Sequence, residues 1–533
     1  MLLYIKKAVS LALAAAMTLS LAACSGGSGE EDEVVQGETI GEEIADIAAA
    51  DDIFSLNSDQ SGTFNPYTDT SVYNHMFMTL VYDNIFDLDA EFNLSSHIIR
   101  DYSCSEDATS WSFYVDNTVT FQDGTPVTAY DVAYSLLRAA RGTEYGARLK
   151  NLVGVSALDN ELFMVSLYEP NRMFPMLLNV PVIKDGASGD TAPAGTGPYR
   201  FSDDHTRLEL WEGHPQAADM PIDVIYLKEY DSPEDIISAF EDSLIDLVQN
   251  DPTGMSDLGY GSANEKRYCT TTNMHYIGFN QNSAFFCYPH FRAAVTYMID
   301  REHIVTELMG GAGVEATLPI SPLSPLYNET FASYFGYDMT NAALALQNAG
   351  ASDQDDDGLL EFLMGAVKVD IDINFIVCGD SAVKVQAARD IADKMRELGL
   401  EVTLRELNWN DYQTALQEGD YDMYYAEVKL SADFNISELV TEDGSLNYGE
   451  ILDPGYDTYI GDYLAATDTD RQMYCELMCQ YFTQTAPIVP ICFEKTEMLT
   501  HRGVVSGASP TQYDLFHDFA SWTIEIERGD AAQ

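Results

Sequence analysis

The chain has 533 residues, 46% of them hydrophobic, which is enough for two or three globular units rather than one small core. Its 86 acidic against 27 basic side chains give a formal charge of −59, which repels phosphate backbones and anionic headgroups and excludes nucleic-acid binding. The same acidity suits a solvated, colloidally stable surface and by itself names no partner.

Lys6 and Lys7 open the chain, and an apolar run from Ala8 to Leu21 follows. The run is too short and too rich in small residues for a membrane span, so residues 1–23 are expected to be an export signal. It ends in "LAAC", Leu21 to Cys24, which matches the bacterial lipoprotein box and makes Cys24 the expected lipidation site. With more than one acyl chain, and about 0.8 kcal/mol per buried methylene, such an anchor on the extracytoplasmic side of the cell membrane holds stably. Residues 24–50, Gly-, Ser- and acid-rich, cannot bury a core and are expected to form a flexible acidic tether. Globular sequence begins near Asp51, and no later stretch is long and apolar enough to cross a bilayer.

In "WSFYV", Trp111, Phe113 and Val115 alternate as in a half-buried strand, and a second extended piece is expected over 118–121. Asp123-Gly124 supplies a positive-φ turn, and Pro126 bars a central strand. Thr128 with Asp131 forms a capping-box pattern, after which Val132, Leu136 and Ala140 recur at helical spacing. Every unusual residue of this corner has a structural role, and no phosphate-binding loop is present.

Further on, "DQDDDGLLE" sets Asp353, Asp355 and Asp357 at EF-hand spacing, but the twelfth position is Met364 rather than Glu, so a solvated turn is expected and no metal. Val369, Ile371, Ile373, Phe375 and Val377 alternate as one strand. A helix from about Ser381, stopped by Gly399, and a strand through Leu400, Val402 and Leu404 complete a right-handed crossover. "YDMYYAEV" is expected as a third strand of that sheet, its C-terminal end opening at a crevice. The seven cysteines after Cys24 are odd in number and scattered, and Cys475 and Cys479 have no His nearby, so buried small hydrophobes are expected rather than disulfides or a zinc site.

No HExxH, GxSxG or GxxxxGK[ST] occurs, and His is scarce. No catalytic residue or cofactor is expected, although motifs alone leave a two-carboxylate glycoside hydrolase open.

The corner from Val119 to Arg141 resembles the "F-x-D-G-x-P-x-T-A-x-D-V-x-x-S" signature of the solute-binding proteins of ABC importers, in the oligopeptide-binding family (family 5) that also holds dipeptide and nickel binders. "LVYDNIF" at Leu80, "GTGPYRF" at Gly195, "YIGFNQ" at Tyr276, "FRAAVTYMIDREHIV" at Phe291, "YDMTNAALALQNAG" at Tyr337 and "MRELGLEVTLRELNWNDY" at Met395 follow in that family's order. The resemblance covers about 51–525. It implies an α/β, two-lobed periplasmic-binding-protein-like fold (type II) with an inserted subdomain. Lobe I takes 51–68, 195–273 and 493–533, the insertion 69–194 and lobe II 274–492, with hinge crossings near Thr272 and Pro490.

The same resemblance implies a membrane-anchored lipoprotein, a monomer, that closes on a peptide and delivers it to ABC permease subunits. In peptide binders an Asp of the second lobe pairs with the ligand's α-ammonium, which carries over to Asp433 in "SADFN". The peptide adds as a strand along Glu427, Val428 and Lys429, with Tyr425 and Phe434 close by. The other lip is "GTFNPY", with Phe64, Asn65 and Tyr67. Alternatives stay open: Asp433 as a polar cap on the following helix, Lys429 as a mere neutraliser of Glu427, and Tyr425 and Phe434 as packing rather than stacking residues. The family's Trp-containing approach to the Asp is replaced by "EVKLSADFN", and no basic partner for a ligand carboxylate can be traced. The same scaffold also suits a nickel chelate, an opine or a small glycan, or a sensing role.

Overall fold

A computed structural model describes residues 53–253, 264–364 and 367–526; the expected export signal, the expected tether and Cys24 lie outside them. The corner at Val119 is built as its residues dictate. Strand Ser110–Val115 buries Trp111, Phe113 and Val115. Phe121 N–H donates to Thr125 O across a turn in which Gly124 has φ +81°. Thr128 N–H and Oγ donate to Asp131 Oδ2 at 2.8 and 2.6 Å, starting helix Ala129–Ala139. The extended piece expected over 118–121 is not a strand. Asp116 Oδ1 accepts both Thr118 N–H and its hydroxyl, turning the chain, and a single bridge from Thr120 to Pro126 is all that remains.

That helix covers a four-stranded antiparallel sheet in the order Ile99–Cys104, Ser110–Val115, Leu162–Leu167, Leu152–Ala157. Its core joins Phe113 and Phe163, stacked at 5.0 Å, to Val132 and Leu136 of the helix. This unit is inserted into a larger molecule. The "GTG" of Gly195 to Gly197 runs where Leu80 and Val81 pass, and a Cβ on Gly195 would land on the Val81 carbonyl, so only glycine allows the approach.

One eleven-stranded sheet runs through the rest. Its order is Glu401–Leu407, Asp372–Cys378, Met423–Lys429, Glu265–Phe279, Ile488–Thr500, Leu247–Asn250, Phe54–Asn57, Val224–Lys228, Arg207–Leu210, Tyr199–Phe201, with Gly313–Glu315 also pairing to Ile488–Thr500. The two long central strands belong to both halves. Residues 265–270 pair with 495–500 beside the core of Phe54, Leu227 and Met498, whereas 274–278 pair with 488–493 beside the second set of strands. Between them the register breaks at 271–273, opposite Glu494, and shifts again between His275 and Tyr276, near Pro490. Bulges of this kind interrupt the ladder and concentrate bending.

The second half follows the crossover read from sequence. Asp372–Cys378 pairs in parallel with Glu401–Leu407 and Met423–Lys429, and Ser381 Oγ accepts Lys384 N–H at the start of helix Ala382–Glu397. Val369 to Val377 is not one strand, however. Val367–Asp370 pairs with Glu361–Met364 in a small separate sheet, and the chain breaks at Ile371, whose N–H goes to Leu360 O. In the neighbouring loop Asp353 accepts Asp356 and Gly358 N–H, while Lys368 Nζ meets Asp355 and buried Glu361, so a protein cation already sits among these acids. Cys269, Cys475, Cys479 and Cys492 are buried; Cys104, Cys287 and Cys378 are not. Among the described residues no helix is long and apolar enough to cross a membrane.

Candidate functional site

Strand Met423–Lys429 is covered on one side along its whole length by Asn273–Phe279, in antiparallel register from Lys429 to Met423. On its other side Asp372–Cys378 reaches only Tyr425, so the backbone from Ala426 to Lys429 is an open edge among the described residues. Such an edge can accept an added strand. Glu427 and Lys429 are exposed there and Val428 half-buried. Glu427 is neutralised by Lys384 Nζ from helix Ala382–Glu397, not by Lys429. Tyr425, one residue before the open edge, does not reach the crevice: it is buried in the core with its hydroxyl 2.8 Å from His275 Nδ1.

Asp433 follows this strand and is 1% exposed. Its Oδ2 accepts Asn171 Nδ2 at 3.0 Å, and Oδ1 accepts Ser431 Oγ at 2.5 Å and Asn435 N–H at 3.3 Å. Helix Ser437–Val440 starts from Ile436 with no side-chain cap; Asn435 Oδ1 accepts Ser437 N–H at 2.9 Å and Asp433 reaches only Asn435 N–H, so capping the helix is not what Asp433 does. Burial pushes its carboxyl above the ordinary carboxylate range, opposed by the Ser431 and Asn171 hydrogen bonds, and among the described residues it meets no cation. Phe434 packs: it is fully buried in a left-handed conformation, φ +51°, against Phe92 at 5.0 Å.

On the opposite lip Phe64 and Asn65 are wholly committed to the fold, and Tyr67 is anchored through its hydroxyl, which donates to Pro181 O. Phe64 packs between Phe77 and Phe201, at 6.5 and 4.7 Å, and Asn65 Nδ2 donates to the carbonyls of Ser188 and Asp190. Tyr67 does line a cavity, of 460 Å³, together with Tyr145 and Tyr513. That volume falls in the range of small-ligand sites.

Sequence reasoning missed two residues of this region: Tyr513, which lines the cavity, and Arg148, which does not line it but packs on its Tyr145. Arg148 stands 5.1 Å over the Tyr145 ring and donates Nη2 to Asn179 O, while its Nε is sealed from water without a partner. Tyr513 Oη is likewise buried and unpartnered. Burial pushes the Tyr513 hydroxyl upward; Arg148 pulls it down and Asp433 raises it, so the phenol lies within the field of both charges. Burial also pulls the Arg148 guanidinium downward, against the neighbouring tyrosines. Arg148, which makes no ion pair among the described residues, and Asp433 thus both act on one phenol. In sequence the visible trace is the i, i+3 pairing of Tyr145 with Arg148 in "EYGARLKN".

Residues 93–434 match the profile of the bacterial extracellular solute-binding proteins, family 5 (middle region). The chain belongs to that family. This family-5 protein is 24% identical over 321 residues to the glutathione-binding protein GsiB of Shigella flexneri, covering 57% of this chain and 62% of that one. It therefore spans less than two thirds of that relative's length. Among solved structures it resembles the oligopeptide-binding protein AppA from Bacillus subtilis in complex with a nonapeptide, with TM-score 0.59 and 17% identity over 89% of this chain and 98% of that one. It also resembles NikZ from Campylobacter jejuni in complex with Ni(L-His), with TM-score 0.62 and 16% identity over 90% and 100%. The fold is the two-lobed α/β type II binding-protein fold with an inserted subdomain.

Proposed function

We propose that this family-5 protein is the membrane-anchored substrate-binding lipoprotein of an ABC importer, tethered through Cys24, and that it captures short peptides with a free amino terminus. The observation that carries the reading is Asp433, a carboxylate at 1% exposure with three hydrogen bonds and no cation among the described residues. An ionised group buried without a counter-charge is costly, and a ligand ammonium supplies the missing charge. The peptide backbone adds as a strand along the open edge from Ala426 to Lys429. Arg148 and Tyr513 Oη, each with an unpartnered buried polar atom, take the ligand's carboxylate.

Lobe I is assigned to 51–68, 195–273 and 493–533, the insertion to 69–194 and lobe II to 274–492. The hinge lies at the register break of Thr271 to Asn273 against Glu494, beside the expected Thr272, with a second bend near Pro490. Closure about it presents a shape that permease subunits read, and contacts on both lobes provide the differential affinity that closing requires. Related proteins whose names refer to glutathione or an oligopeptide support a peptide-like solute; one holding Ni(L-His) makes the metal chelate the outcome to distinguish. Native mass spectrometry of co-purified ligand tests this: short-peptide masses are expected, and a metal chelate or a sugar in their place contradicts the peptide assignment.

A further inference from the structure

Away from Asp433 and the open strand edge, three side chains from separate segments converge on a second pocket, of 170 Å³. Asp83 follows the short turn Met78–Leu80 and is held through its backbone carbonyl by Val182 N–H. His97 lies two residues before strand Ile99–Cys104 of the inserted sheet, and His214 follows Arg207–Leu210 of the large sheet. One ligand atom from each lies within 4.8 Å of the others, and the two imidazole rings are 6.3 Å apart. Among the described residues neither the Asp83 carboxylate nor the His97 imidazole makes a side-chain hydrogen bond, so both are free to turn toward a common point.

The surroundings favour a positive charge at that point. Asp87 and Asp514 also line the pocket, and no lysine or arginine does. Asp87 is held by Asn84 Nδ2 at 2.8 Å, and Asp514 by Thr79 Oγ1 at 2.6 Å and Phe516 N–H, which fixes both carboxyl groups in place beside Asp83. Four Asp side chains, Asp83, Asp87, Asp514 and Asp518, line one small space with no lysine or arginine beside them, and a divalent ion reduces their mutual repulsion. Two imidazoles and one carboxylate suit a borderline transition ion rather than calcium or magnesium, which take oxygen donors.

We propose that Asp83, His97 and His214 bind one divalent transition-metal cation of the zinc type, which fastens the inserted subdomain to the large sheet. In a tetrahedral site with bonds of about 2.1 Å the donors stand about 3.4 Å apart, so side-chain rotation draws them in by roughly 1 Å. Loading costs one contact. His214 Nδ1 accepts Gln216 N–H at 3.2 Å, and a ligating imidazole keeps one N–H, so whichever nitrogen binds the metal this bond is given up. The fourth coordination position falls to water or to Asp87. The ion is resident rather than cargo, and the assignment stands whatever solute the cleft takes.

The test is isothermal titration of Zn²⁺ into the EDTA-stripped full-length protein, with thermal melting in parallel. One equivalent is expected, with a rise in Tm, and His97→Gln and Asp83→Asn should each weaken binding at least tenfold and abolish the rise. His97 is exposed, so His97→Gln leaves folding intact, which circular dichroism checks. Asp355→Asn, in the exposed acidic loop, should leave zinc affinity unchanged. Unaltered zinc affinity in His97→Gln overturns the assignment, as does loss of binding in Asp355→Asn instead, displacement by equimolar Ca²⁺, or absence of any saturable zinc binding.

Discussion

His275 Nε2 lies 2.6 Å from Glu494 Oε1, both side chains are buried, and the pair sits where the two long strands lose register. Asn273 Nδ2 and Thr253 Oγ1 also donate to Glu494, so residues on both sides of the break meet at one carboxylate. Burial alone would raise this acid; the hydrogen bond and charge of His275, with Asn273 and Lys384, hold it down to about 2. A carboxyl depressed from its usual value near 4.5 gives stability that is full above that pH and is lost as pH falls toward 2, on the order of 3 kcal/mol. Melting curves between pH 6 and 2.5 should therefore show the wild type losing its advantage over Glu494→Gln below about pH 4.5. Parallel curves at every pH would remove the pair from the hinge's energetics.

Asp433 has the opposite sign. Because burial raises its carboxyl, the charged form that a ligand ammonium needs is lost at a higher pH than for an exposed Asp. Peptide affinity by calorimetry should weaken as pH falls, and at a higher pH than an exposed Asp would show, and Asp433→Ala should cost tenfold or more at pH 7, the scale of a lost buried charge partner. Asp433→Asn keeps the volume and one of the two acceptor oxygens, so it should bind as weakly as Asp433→Ala while melting above it. An affinity unchanged in both variants takes Asp433 out of the site.

Arg148 and Tyr513 predict selectivity for a free carboxyl terminus. The wild type should prefer a free over an amidated peptide by about tenfold, and Arg148→Ala should bind the two alike. Tyr513→Phe should lose a smaller share, on the order of 1 kcal/mol, as one hydrogen bond. Equal selectivity in wild type and Arg148→Ala counts against the pairing.

Thr128 and Asp131 close the corner of the inserted subdomain without touching the cleft. Thr128→Ala should lower stability by about 0.5–2 kcal/mol, as loss of an N-cap does, and leave ligand affinity unchanged. A urea titration and a binding isotherm on the same preparation decide it.

These residues also show where sequence reading reached and where it stopped. The Thr128 corner and the crossover from Asp372 to Lys429 are local, and their caps and alternations were legible. Val369 to Val377 kept its alternation across two sheets, because a period-two pattern marks a buried face but not which sheet owns it. Tyr425 lies on a strand whose faces are both covered, so alternation could not place it toward the crevice. Phe64 and Asn65 read as a lip until their partners near Phe201 and Asp190 were in place. Arg148 was invisible for a physical reason: its environment is made by Tyr513, from the far end of the chain.

The central claim is that two hinged lobes clamp a solute and leave it chemically intact. Small-angle scattering of the protein stripped of ligand and then saturated with a tight-binding peptide, with the peptide recovered for mass analysis, tests it most directly. A smaller radius of gyration in the saturated sample and an unaltered peptide mass are predicted; superimposable curves, or a cleaved or modified peptide, would contradict it.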